Sequence, residues 1–193
     1  MVSSITLKNL IIGYRSKHQL RAIASPVHAS LQAGELTCLI GANGVGKSTL
    51  LRTLAGFQPA LDGEILIQDK SLSDFSAQEL AREISIVLTS KTDHAQLSAE
   101  EIVGIGRSPY TGFWGTLSAA DKQIVASALQ ETGIQHLAQR NISELSDGER
   151  QKVMIAKALA QQTRIIILDE PTAFLDFPSK IETLQMLRRL AHE

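Results

Sequence analysis

The stretch Gly41-Ala42-Asn43-Gly44-Val45-Gly46-Lys47-Ser48 constrains this chain more than any other. It fits the pattern G-x-x-x-x-G-K-[ST] without a mismatch, a pattern expected between a strand and a helix. Glycines carry no Cβ, so the backbone can turn its N–H groups inward around a dense negative charge. Lys47 is then the candidate point charge for the β- and γ-phosphates of a nucleoside triphosphate, and Ser48 the candidate hydroxyl for Mg2+. Thr49, next in line, belongs to the same candidate binding set. The flanks have the required character. Leu36-Thr37-Cys38-Leu39-Ile40 is short, apolar and bounded by turn residues, which predicts a buried strand. Lys47 to Ala55, stopped by Gly56, predicts a helix with a glycine at its end. The plainer alternative is a glycine-rich turn that holds nothing.

Bulk properties narrow the classes further. The 193 residues suffice for a real core in one domain. A formal net charge of −1 gives no field that draws the chain to nucleic acid or anionic lipid. No apolar run reaches the ~18 residues that span a bilayer. The start, Met1 to Lys8, lacks the basic segment before an apolar stretch that marks a signal peptide. Cys38, the single cysteine, excludes an internal disulfide and is expected to fill a small core position in a strand. The five histidines, His18, His28, His94, His136 and His192, show no metal-ligand spacing and read as surface or structural.

The rest of the chain alternates strands and helices. Ile5 to Leu10 and Val27 to Leu31 alternate loosely, and Leu61-Asp62-Gly63 leads into the apolar Ile65-Leu66-Ile67. These predict a small antiparallel sheet near the N-terminus. Ile84 to Leu88 and Arg164 to Leu168 are further runs of strand length. Helices between them imply a mainly parallel sheet, with phosphates at the carboxyl ends of its strands. Ser98-Ala99-Glu100-Glu101 and Ser118-Ala119-Ala120-Asp121 start helices, from about Ala99 to Arg107 and Ala119 to Thr132, with Gly133 ending the second. Between them lie Pro109, Tyr110, Phe113 and Trp114, in a chain that holds few other aromatics. This cluster either packs beneath a loop or forms a docking surface.

Two further constellations carry chemistry. Ile165-Ile166-Ile167-Leu168-Asp169-Glu170 places two carboxylates where an apolar strand emerges. Asp169 is the candidate Mg2+ acid. Glu170, one residue outward, is the candidate base that polarises a water for in-line attack. Alone, the run is also what many strands show at a turn. Leu145-Ser146-Asp147-Gly148-Glu149 is a capping box that opens a helix to about Ala160. Its N–H donors and positive dipole end equally suit a phosphate.

With these motifs in order, the chain resembles the nucleotide-binding subunit of ATP-binding cassette (ABC) transporters. Leu145 to Glu149 matches that family's LSGGQ-type signature, with Asp147 at a glycine position and Glu149 at the glutamine. Tyr14 stands where the family places an aromatic against adenine, although a packed strand-end tyrosine reads the same way. Thr172-Ala173-Phe174-Leu175-Asp176 resembles the D-loop, although Asp176 could simply start a following helix from Ser179. The resemblance implies an α/β fold: a P-loop NTPase (RecA-like) parallel-sheet core, an N-terminal antiparallel β subdomain and an inserted α-helical subdomain. It implies a single nucleotide-binding domain over 1–193, with core and β subdomain in 1–88 and 161–193 and the helical part in about 89–160. It further implies a dimer that sandwiches two ATP molecules. Lys47, Ser48, Asp169 and Glu170 of one chain would act on an ATP that Ser146, Asp147, Gly148, Glu149 and Asp176 of the other cover.

Gly106-Arg107-Ser108-Pro109-Tyr110 is similar to a G-R-x-P-[YW] segment of importers for iron–siderophore complexes, haem and cobalamin. The implied partners are a second copy, a polytopic membrane permease and, indirectly, a periplasmic or lipid-anchored substrate-binding protein, with no nucleic acid. The implied location is the cytoplasmic face of the inner membrane. Two departures stand out. Thr89 occupies the position of the family's glutamine, and the sequence stops at Glu193 before a switch histidine. On that pattern the chain is C-terminally incomplete, its parallel sheet is one strand short, and little turnover is expected of it alone. A soluble ABC ATPase working on nucleic acid or ribosomes, or a non-catalytic ATP-binding regulator, remains open on the same motifs. A GTPase or small-molecule kinase shares the phosphate loop alone.

Overall fold

A computed structural model describes residues 3–15, 20–88 and 96–192. Thr89, His18 and His94 lie outside the described residues. The chain divides into two compact units, residues 1–80 with 189–193, and residues 81–188.

The first unit runs through β1 (Ser3–Ile11), β2 (Gly13–Arg15), β3 (Leu20–Ala22), β4 (Val27–Gln32), α1 (Lys47–Leu54), β5 (Asp62–Ile67), β6 (Lys70–Ser71) and the start of α2 (Ala77–Glu83). Strands β4, β1, β5 and β6 form, in that order, the antiparallel sheet expected from the alternation. Ile5 and Leu7 point to the core, while Lys8 stays outside opposite Glu64, 3.8 Å from its carboxylate. At Asn9 the backbone turns left-handed (φ 49°), and the register against both neighbours shifts there. This bulge moves the buried set from odd to even positions, so that Leu10 and Ile12 enter the core next. Each such fully buried side chain contributes about 1.5–3 kcal/mol relative to exposure. A separate ribbon pairs β2 with β3, with Tyr14 directly opposite Arg21.

One expectation fails here. Residues 36–40 form no strand; Leu39 and Ile40 are 47% and 91% exposed, and Cys38 is exposed as well. An apolar run sets the tendency to be buried, but a strand exists only where a neighbouring ladder takes up its N–H and C=O groups. Among the described residues no ladder does so for this segment.

The second unit holds β7 (Ile84–Val87), α3 (Ala99–Ile105), α4 (Ala119–Glu131), α5 (Asp147–Ala160), β8 (Ile165–Leu168) and most of α6 (Phe177–His192). β7 and β8 pair in parallel, Ile84 with Ile165 through Val87 with Leu168, as their largely apolar runs predict, with Ser85 the one polar residue of the pair. Helices α3, α4 and α5 enclose a core of Ile102, Val103, Val125, Leu129, Val153 and Ala156. Each of the three helices opens on a complete capping box, Ser98 with Glu101, Ser118 with Asp121 and Ser146 with Glu149. α3 stops at Ile105, short of the predicted Arg107, and α6 starts at Phe177, ahead of the predicted Ser179. α2, with Ser76 and Glu79 bonded reciprocally at its start, carries the same signature and was passed over in the sequence.

Arg107 is a buried cation whose partners explain its place. Its Nε donates to Asp121 at 2.8 Å, and its Nη1 donates to the Ala160 carbonyl at 2.8 Å and to Gln162 at 3.0 Å. The Tyr110 ring lies 4.1 Å from the guanidinium carbon. The Ser118 hydroxyl, then Arg107, hold the Asp121 carboxyl down at about 2, from an ordinary 3.8. This anchor fixes the segment after α3, at whose tip Phe113 and Trp114 are 96% and 87% exposed, their rings edge to face at 5.5 Å. The two aromatics are therefore not packed beneath the loop; only Tyr110 is partly covered.

Candidate nucleotide-binding site

The phosphate-loop octapeptide closes onto the first turn of α1. Gly46 caps that helix at φ 107°, and a Cβ there would lie 2.6 Å from Ile23 Cγ2. Glycine alone meets both conditions. α1 begins with no capping side chain and no acidic residue in its first turn. Its positive dipole end is thus left for an anion from elsewhere. Lys47 Nζ donates to the carbonyls of Gly41 and Ala42 at 2.8 and 3.0 Å, which folds the ammonium across the loop.

Tyr14 is brought to this loop. Its hydroxyl shares a 3.2 Å hydrogen bond with Thr49 Oγ1, while the residue stays 52% exposed. It is therefore not a packed strand-end tyrosine; the ring keeps a free face. Tyr14, Gly44, Gly46, Lys47, Ser48 and Thr49 line one cleft of about 430 Å3. That volume falls in the range of small-ligand pockets. Gly41, Ala42, Asn43 and Val45 form the exposed outer turn of the loop and do not line the cleft. Arg21, Ala22 and Ile23 line it too, and the sequence reading missed them. The signal that could have found Arg21 is cross-strand pairing with Tyr14, which no local motif encodes.

The remaining candidates lie in the second unit. Asp169 is buried at the end of β8, where its N–H continues the ladder to the Val87 carbonyl at 2.9 Å. Glu170 follows, exposed, at φ 50°. A left-handed, non-glycine residue in this position costs local strain of the kind found at functional turns. Phe174 is also left-handed (φ 64°) and 73% exposed, and Asp176 is exposed with its carbonyl accepting from Lys180 N–H at the start of α6.

At the α5 N-terminus the Ser146 hydroxyl donates to Glu149 Oε2 at 2.8 Å and accepts from the Glu149 N–H at 3.3 Å. The same carboxylate accepts from the Ser146 N–H at 2.8 Å, and these bonds hold its pKa below the ordinary range. Asp147 turns outward and pairs with Arg150 at 3.0 Å. Gly148 is half-buried; a Cβ there would meet the Ser179 hydroxyl oxygen at 3.2 Å. Ser48 in the first unit offers a hydroxyl and Asp169 in the second a carboxylate, each taken alone a hard oxygen donor of the kind that suits Mg2+.

The chain is similar to known proteins over most of its length. The sequence profile of the family described as ABC transporter matches residues 24–173. An uncharacterized ABC transporter ATP-binding protein of Methanocaldococcus jannaschii is 40% identical over 186 residues, covering 96% of this chain and 63% of its own length. The iron(3+)-hydroxamate import ATP-binding protein FhuC of Bacillus subtilis is 37% identical over 192 residues, covering all of this chain and 70% of its own length. The chain thus spans about two thirds of the curated relatives it matches. A solved ATP-binding cassette, dimeric in a post-hydrolysis state with ADP and Pi, superposes with a TM-score of 0.80 at 26% identity, covering 97% of this chain and 82% of the other. The chain belongs to the ABC transporter family.

Proposed function

We propose that this chain is the ATP-hydrolysing subunit of an ABC importer for iron–siderophore or chemically similar metal-chelate cargo. The observation that carries the reading is the single cleft shared by Tyr14, Gly46, Lys47, Ser48 and Thr49. A base on the Tyr14 ring leads its phosphates to the uncapped start of α1. Lys47 leaves its own loop carbonyls for the β- and γ-phosphates. Ser48 and Asp169 are the residues that would hold Mg2+, which would supply charge neutralisation to the phosphates. Glu170 accepts a proton from the water that attacks the γ-phosphorus, as the bond to the ADP oxygen breaks and inorganic phosphate departs.

Ser146, Asp147, Gly148, Glu149 and Asp176 of a second copy close the site. A helix N-terminus donated across a two-fold interface excludes water and turns ATP binding into subunit closure. The cargo class is supported by the Gly106–Tyr110 segment and by relatives named for iron(3+)-hydroxamate and ferric enterobactin transport. No helix among the described residues is long and apolar enough to cross a membrane. The family resemblance supports a transport path in a separate permease. Phe113 and Trp114 are the proposed contact with that permease.

Co-purification from native membranes, followed by ATPase assay with and without the captured partners, tests the reading. A polytopic permease that raises turnover is the expected result. Capture of ribosomes or nucleic acid instead would overturn it.

A further inference from the structure

We infer that Arg21 is a nucleotide-contacting residue that holds the ribose–α-phosphate end of an adenosine di- or triphosphate whose base lies on Tyr14. The inference rests on the cleft being a nucleotide site. Tyr14 and Arg21 are direct partners across the β2–β3 ribbon. Directly opposed side chains on an antiparallel ribbon share a face, with Cβ atoms roughly 5 Å apart. Both residues line the cleft that contains Gly46, Lys47 and Ser48.

The ribbon is tied down, so the guanidinium starts from a fixed base. A Cβ at Gly13 would overlap the Arg21 carbonyl, which lets the two strands approach closely. Gln58 donates to the Gly13 carbonyl, Tyr14 bonds Thr49, and Ile23 packs against Gly46. Arg21 itself is exposed, and among the described residues its guanidinium has no hydrogen-bond or ion-pair partner. Base and terminal phosphates are taken by Tyr14 and the loop, so the segment left between them is the ribose and α-phosphate. A planar guanidinium suits that segment because it engages phosphate oxygens bidentately. Lys47, a point charge assigned to the β- and γ-phosphates, does not replace such a bidentate contact.

Isothermal calorimetry with ATP, ADP and adenosine on the wild-type chain, Arg21→Ala and Arg21→Lys tests the inference. A lost charge-assisted contact weakens ATP and ADP alike by about tenfold or more. Adenosine should bind Arg21→Ala as it binds the wild type, and Arg21→Lys should recover part of the loss. Arg21→Gln serves as the neutral variant should Arg21→Ala not fold by circular dichroism. ATP and ADP affinities within about twofold of wild type in a folded neutral variant overturn the inference. So does an equal loss for adenosine, which would put Arg21 on the base. A wild-type chain that binds neither nucleotide sinks the nucleotide reading itself, a result distinct from either of these.

Discussion

Ser146 combines a structural and a proposed functional role, and the two separate cleanly by mutation. Its hydroxyl caps α5 with the same bonding that Ser98 uses on α3: Oγ to glutamate carboxylate at 2.8 and 2.9 Å, and glutamate N–H to Oγ at 3.3 and 3.2 Å. Removing either cap costs about 1 kcal/mol. For a chain of this size that lowers the melting temperature by about 2–4 °C. The proposed in-trans contact adds a separate loss. A hydrogen bond to a charged phosphate is worth about 1.5–3 kcal/mol, and a two-fold dimer contains the contact twice. Ser146→Ala should therefore weaken ATP-driven dimerisation by about 3–6 kcal/mol, roughly 10²- to 10⁴-fold. Ser98→Ala should match it in melting temperature and leave dimerisation alone. Ser146→Asp keeps an acceptor for the Glu149 N–H but sets a second carboxylate against the Glu149 side chain, which accepts from the Ser146 hydroxyl, and a charge against phosphate, so it should melt somewhat below wild type and fail to dimerise. Sedimentation with Mg·ATP, beside thermal melts, reads both effects. Equal dimerisation by Ser146→Ala and Ser98→Ala would refute the reasoning and leave the signature a helix start alone.

Glu170→Gln should slow hydrolysis at least a hundredfold while ATP still drives dimerisation, measured by phosphate release and light scattering; unchanged turnover removes Glu170 as the base. The depressed Asp121 carboxyl makes an acid prediction: its folded value, about 2, lies below the ordinary 3.8, so its stabilisation is complete above 3.8 and disappears as pH falls toward 2. Asp121→Asn should flatten the urea-stability profile across that window, and an unaltered acid limb contradicts the anchor. Trp114→Ala with Phe113→Ala should leave the melting temperature within about 1 °C, because surface changes away from special features cost little. The same pair should lose permease in co-purification; full retention of permease rejects the docking assignment.

What the sequence made legible was local. The phosphate loop, the helix behind it and the capping boxes at Ser98, Ser118 and Ser146 each complete their bonding within a few residues, so spacing alone reveals them. The misses depend on distant partners. Residues 36–40 carry the composition of a buried strand, but no ladder among the described residues pairs with them. Arg21 gains meaning only through its pairing with Tyr14, and a lone surface arginine has no motif. Arg107 reaches the Ala160 carbonyl and Gln162, more than fifty residues away, so its burial could not be read from Gly106-Arg107-Ser108. The Asn9 bulge resets which side of β1 is buried, and strict alternation does not anticipate that shift.

The claim that one protomer caps the other's nucleotide is open to a mixing experiment in the Glu170→Gln background. Chains carrying Lys47→Ala and chains carrying Ser146→Asp each lack an essential half of every site they could build with themselves. Together they form one composite site, with Lys47 from one and Ser146 from the other. Sedimentation with Mg·ATP should show monomers for each variant alone and, on mixing, a dimer that retains one nucleotide. A mixture that stays monomeric while wild-type sequence in the same background dimerises would contradict the account.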